Sequence, residues 1–165
     1  EPMKHTISIL VENHAGVLAR VAGLFARRGF NIDSLAVGVT EDEKISRITI
    51  IADGTAYTLE QIEKQLNKLI DVIKVRHLPA EELLSRELVL IKVACQPSQR
   101  AELISLAEIA KAKISDITVN TMTLELSDSV PRIKTFEELL RPYGIKETVR
   151  TGSIAMQKGG ASMKL

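Results

Sequence analysis

The segment HTISILVENHAGVLARVAGLFARRGFNIDSLAV, residues 5–37, changes its hydrophobic period twice. Its first eight residues alternate, with Ile7, Ile9 and Val11 on one face, which predicts a strand over 5–12. From Ala15 to Arg28 the period lengthens. Val17, Val21, Leu24 and Phe25 share one helical face, and Arg20, Arg27 and Arg28 fall away from it as a polar face. Gly29 suits the helix C-cap, and alternation resumes at Asn31. The segment therefore reads strand, helix, strand.

Downstream, NIDSLAVGVT (31–40) and KISRITIIAD (44–53) predict two strands joined at the turn EDE (41–43), a hairpin. Residues 57–70 carry Leu59, Ile62, Leu66 and Leu69 at helical spacing, and VIKVRHL (72–78) predicts a closing strand. The order β-α-β-β-α-β is the ferredoxin-like arrangement, two helices on one face of a four-stranded antiparallel sheet. In this topology strand one is central and strand two lies at an edge.

After a charged, Pro-containing stretch the order returns. LVLIKVAC (88–95) predicts a strand, and 98–112 a helix with Leu103, Leu106, Ala107 and Ala110 in register. ISDITVN (114–120) and TMTLELS (121–127) predict a hairpin pair. Residues 130–141 predict a helix with Ile133, Phe136 and Leu140 inward and Pro131 in its first turn, and IKETVRTGSIAM (145–156) closes the unit. The expected fold class is α+β, two tandem ferredoxin-like βαββαβ domains at 3–78 and 87–156. A linker at 79–86 joins them, a flexible tail follows at 157–165, and Glu1-Pro2 is set aside as a processed end.

The 165 residues are 45% hydrophobic and only 3% aromatic, so the cores must be built from Ile, Leu, Val and Ala. A net charge of +1 and the lack of aromatic stacking platforms argue against a nucleic-acid partner. No apolar run reaches the roughly 18–20 residues of a membrane span, so no membrane partner is expected. One cysteine, Cys95, rules out an internal disulfide and fits a reducing compartment, so a cytoplasmic location is expected. Each unit has roughly 75–80 residues, few for a private core, and an open sheet edge invites a second copy. A homodimer is expected.

Catalytic constellations are missing from the pattern. His5, His14 and His77 fall in different elements, and Cys95 continues the alternation of Val89, Ile91 and Val93 as a buried strand residue. No C-x-x-C pair, G-x-G-x-x-G turn or phosphate-binding G-x-x-x-x-G-K loop occurs, so neither catalytic residues nor metal ligands are expected. The chain reads as one that binds rather than transforms.

The junction residues Asn13 and Asn31 have two readings. Asn before a helix is commonly an N-cap, and Asn after a C-cap glycine a turn residue. Alternatively, Ala15 and Gly16 leave the helix N-terminus open to a carboxylate, and Asn13 offers both donors and an acceptor to an amino acid.

The segments VENHAGVLARVAGLFARRGFNI, SLAVG, SRITI and LEQIEKQLNKLIDVIKV, then RELVLIKV and LLRPYGIKETVRTGSIAM, together resemble the small regulatory subunit of acetohydroxyacid synthase (acetolactate synthase). The resemblance covers nearly the whole chain. It is strongest over 4–78 and weakest over ISDITVNTMTLELSDS (114–129).

It implies an ACT domain, the amino-acid-sensing ferredoxin-like variant, followed by a second ferredoxin-like domain. It implies no catalysis by this chain and no cofactor of its own. Its implied partner is a large catalytic subunit carrying thiamine diphosphate, FAD and magnesium, which it activates and renders sensitive to feedback by valine or another branched-chain amino acid.

The implied effector site lies between two ACT domains. One copy supplies Asn13, His14, Ala15, Gly16, Val17 and Leu18, and the other Asn31 and Ile32. A competing reading is a free-standing ACT-type sensor regulating another enzyme or transcription. An acylphosphatase-like enzyme fits poorly, because Arg20 lies well inside the helix and ENHAG lacks the phosphate-loop pattern.

Overall fold

The computed structural model describes residues 3–163. In the first unit β1 (Met3–Glu12), α1 (Val17–Arg27), β2 (Ile32–Val39), β3 (Ile45–Gly54), α2 (Ala56–Asn67) and β4 (Val72–Leu78) follow one another. The strands form one antiparallel sheet in the order β2-β3-β1-β4, so β1 is central and β2 an edge, as the topology required. The inward positions read from the period are buried. Ile7, Ile9 and Val11 meet Val17, Val21, Leu24 and Phe25 from α1, and Leu59, Ile62 and Leu66 from α2.

Local chemistry sets the helix ends. Gly29 has φ +72°, a left-handed conformation that glycine adopts without cost, and it ends α1. Gly29 N–H donates to Ala26 O and Phe30 N–H to Phe25 O, the paired bonds of a Schellman motif. Phe30 thereby folds back edge-on to Phe25. At α2, Thr55 and Thr58 cap each other reciprocally.

The second unit repeats the order: β5 (Leu83–Ala94), α3 (Arg100–Ala110), β6 (Lys113–Ile117), β7 (Thr121–Asp128), α4 (Val130–Leu140) and β8 (Ile145–Arg150). Its strand order is β6-β7-β5-β8. Val89, Ile91, Val93 and Cys95 are buried against Leu103, Ala107, Ile133, Phe136 and Leu140, and Cys95 is a free, buried thiol. The fold is α+β, βαββαβ twice over.

The stretch expected as a linker, 79–86, is a short helical turn at Ala80–Glu82 followed by the first residues of β5. The stretch expected as one closing strand, 145–156, is two. β8 ends at Arg150, Gly152 turns the chain at φ +83°, and β9 (Ile154–Gln157) follows.

Residues 153–163 belong to the compact unit that also holds residues 3–84. They lie on the sheet face away from the helices. Ser153 N–H donates to Ser34 Oγ at 2.8 Å, Arg47 to Ala155 O at 2.8 Å, and Lys158 N–H to Glu82 O at 2.7 Å. The last of these bonds holds the start of the expected tail at Lys158, and Thr6, Ser8 and Thr49 on that face are buried. The segment Glu1-Pro2 and the last two residues of the tail lie outside the described residues.

Candidate functional site: the entry to helix α1

β1 runs out at Glu12, and after four intervening residues α1 begins at Val17. Gly16 is the N-cap residue, at φ +87°, with no side-chain cap. The first intrahelical bond runs from Arg20 N–H to Gly16 O at 3.1 Å, so the N–H groups of Val17, Leu18 and Ala19 have no acceptor within the helix. They carry the positive end of the helix dipole. A Cβ placed on Gly16 would meet nothing within 4 Å, so the approach to this end is open.

Asn13 does not cap α1. Its N–H donates to Lys44 O at 2.8 Å, and its side-chain Nδ2 donates to Glu43 O at 2.9 Å. It therefore fastens the end of β1 to the β2–β3 turn. His14 is exposed and lies between two carboxylates, with Nε2 3.2 Å from Glu12 Oε2 and 3.0 Å from Asp71 Oδ1. The hydrogen bond to Glu12 and, against slight desolvation, the charge of Asp71 raise the His14 pKa above its ordinary 6.5.

Arg20 is exposed, as its place on the polar helix face predicts, and it also forms an ion pair with Asp71, whose side chain is largely buried. Asp71 also accepts Glu12 N–H at its backbone oxygen, at 2.9 Å. The loop 13–16 is thus braced on one side by residues 43–44 and on the other by Asp71. No sequence signal marked this bracing, because the partners lie thirty to sixty residues away along the chain.

Of the other expected residues, Ala15 is exposed, Val17 is buried in the core, and Leu18 keeps 41% of its surface exposed beside the helix entry. Asn31 lies elsewhere. Its Nδ2 donates to Asp33 Oδ1 at 2.9 Å, and its carbonyl accepts Asp53 N–H at 3.2 Å. Ile32 pairs with Ala52, which pairs in turn with His5 near the beginning of β1. Asn31 and Ile32 therefore stand at the far end of the sheet from residues 13–18. Within one chain the structure brings Asn13 to Gly16 together and leaves Asn31 and Ile32 apart.

The ligand atoms of Glu12, His14 and Asp71 lie within 4.8 Å of one another, a spacing compatible with a cation. Arg20 already supplies positive charge to that cluster. Among the described residues no helix is long and apolar enough to cross a membrane.

Comparison with known proteins agrees over the full length. Residues 7–74 match the family described as the AHAS small subunit-like ACT domain, and residues 86–159 the family described as the small subunit of acetolactate synthase. The chain is 50% identical over 157 residues to a probable acetolactate synthase small subunit of Archaeoglobus fulgidus, covering 95% of this chain and 98% of that one. It is 51% identical over 164 residues to the corresponding protein of Methanothermobacter thermautotrophicus, covering 99% and 98%. The crystal structure of the acetolactate synthase small subunit from Thermotoga maritima superposes with a TM-score of 0.90 at 38% identity, covering 96% of this chain and 99% of that chain.

Proposed function

The chain belongs to the acetolactate synthase small-subunit family, and on that premise we propose that it senses a branched-chain amino acid, valine first, between the first units of two copies. Its regulatory partner is then the large catalytic subunit, which holds the thiamine diphosphate, FAD and magnesium. This chain raises that subunit's activity and returns feedback inhibition when the effector binds.

The observation that carries this reading is the uncapped, sterically open start of α1 at Gly16. A carboxylate docked there accepts charge-assisted hydrogen bonds of about 1.5–3 kcal/mol each. An isopropyl group laid against Leu18 and Ile32 adds about 1.5–3 kcal/mol by burial. Alanine, lacking two methyl groups, would bind more weakly by about 1.6 kcal/mol.

The sheet register supports a two-chain site. β2 is an edge with Val37 and Val39 exposed. Its last residue, Val39, pairs with Ser46, which also pairs with Val11, at the α1-entry end. If two β2 edges pair antiparallel about a two-fold axis, the beginning of one lies beside the end of the other. Asn31 and Ile32 of the second copy then arrive at the loop 13–18 of the first. Because the effector bridges two copies, its binding alters how they pack, which is the differential contact that allostery requires.

Titration calorimetry of the chain with a panel of amino acids tests this reading. Valine should bind at one molecule per chain and alanine roughly tenfold or more weakly. Absence of binding by every branched-chain amino acid would overturn it.

A further inference from the structure

Two histidines far apart in sequence meet at the other end of the first unit. β1 and β4 pair with Ile7 opposite His77, so His5, two residues from Ile7, lies on the same helix-covered face. His5 Nδ1 is 3.3 Å from His77 Nε2, and His5 Nε2 is 3.0 Å from Gly54 O. A carbonyl only accepts, so His5 carries its proton on Nε2, and its Nδ1 lone pair is aimed at His77.

Two nitrogens 3.3 Å apart, each at the usual zinc–nitrogen distance of about 2.0–2.1 Å from a shared ion, subtend roughly 107° at it, close to the tetrahedral angle. The bond from His5 to the Gly54 carbonyl is the kind of outer contact that fixes the tautomer and ring orientation of a ligating histidine. The rings border an open cavity of about 520 Å³ whose α2 wall carries Glu60 and Glu63.

We propose that His5 and His77, with the Glu63 carboxylate turned in from the α2 wall of the cavity, bind a divalent transition-metal ion of the zinc class. Imidazole with carboxylate suits such an ion, and the fourth position falls to water from the open cavity. The ion takes the place of the hydrogen between the two rings. The His77 proton moves from Nε2 to Nδ1, two nitrogen–metal bonds replace one hydrogen bond, and no oxidation state changes. Sequence spacing concealed the pair, because seventy-two positions separate the two residues. Once bound, the ion would fasten β1 and β4 to α2.

Zinc chloride titrated into the untagged, chelator-stripped full chain at neutral pH tests the site, by calorimetry and by imidazole nitrogen NMR. One ion per chain should bind, with shifts at His5 and His77. His5→Gln and His77→Gln should each weaken binding by more than the roughly 10–100-fold that loss of an outer contact costs. His14→Gln should leave it unchanged. Failure to bind zinc would overturn the proposal. So would binding that survives His77→Gln and disappears in His14→Gln, which would move the ion to Glu12, His14 and Asp71. Should the variants fail to fold by circular dichroism, the wild-type spectra decide, and unmoved His5 and His77 signals at zinc saturation would overturn it.

Discussion

Asn13 and Asn31 hold opposite ends of one strand, β3. Asn13 bonds Lys44 O and Glu43 O just before the strand begins, and Asn31 O accepts from Asp53 near its end. Lys44 and Asp53 are nine positions apart, which at about 3.3 Å per residue is roughly 30 Å. A free amino acid is a fraction of that length. If both asparagines serve one effector, they do so from different chains.

Gly16→Asp should abolish valine binding. The substitution puts a negative charge where a carboxylate docks, and φ +87° adds backbone strain of about 1–2 kcal/mol for a residue with a Cβ. Gly16→Ala carries the strain without the charge and should retain weakened binding. Calorimetry on both variants checks this, and unchanged valine affinity in Gly16→Asp would remove the site from α1.

Asn31→Ala should weaken feedback by valine while leaving activation of the catalytic subunit intact. Among the described residues the side chain bonds Asp33 alone, in an exposed position, so its removal costs the fold little. Activity of the reconstituted enzyme, with and without valine, separates the two effects. Parallel loss of both would mean that the paired domains themselves had come apart.

If two copies pair through β2 as proposed, Val39→Lys should keep them apart. Val39 is 63% exposed on the edge strand, and a lysine there is a common natural guard against edge pairing. Light scattering should show the molar mass halved, with valine binding lost at the same time. A variant that stays dimeric would argue for pairing through another surface.

His14 should titrate above 6.5, because its protonated ring is held between Glu12 and Asp71, with Arg20 on the far side of Asp71. A raised folded-state pKa contributes stability that is complete below 6.5 and lost as pH rises through the folded value. The melting-temperature difference between the wild type and His14→Gln should therefore shrink as pH rises. NMR titration of the His14 ring gives the value directly, and a result at or below 6.5 contradicts the bracing.

Much of the fold was legible because period and position agree. Ile7, Ile9 and Val11 alternate, Val17, Val21, Leu24 and Phe25 recur helically, and all seven are buried. Gly29 announced the end of α1 through its own conformational freedom. What stayed hidden depends on contacts distant in sequence. Asn13 looks like a cap, but a carbonyl pair at 43–44 takes its donors. Arg20 is exposed as read, but its ion pair with Asp71 across the fold was not visible. The return of Ser153 to Ser34 is likewise invisible to any local window, since Gly152 marks a turn but not its destination.

The central claim, a site built half from each of two chains, is tested most directly by mixing two variants impaired in valine binding. Gly16→Asp spoils only the loop half, and Asn31→Ala only the strand half. In an equal mixture allowed to exchange, each mixed dimer has one site with both halves intact, so about a quarter of all sites should recover wild-type valine affinity. Calorimetry that finds this recovery supports the account. A mixture that binds no better than its two components would contradict it.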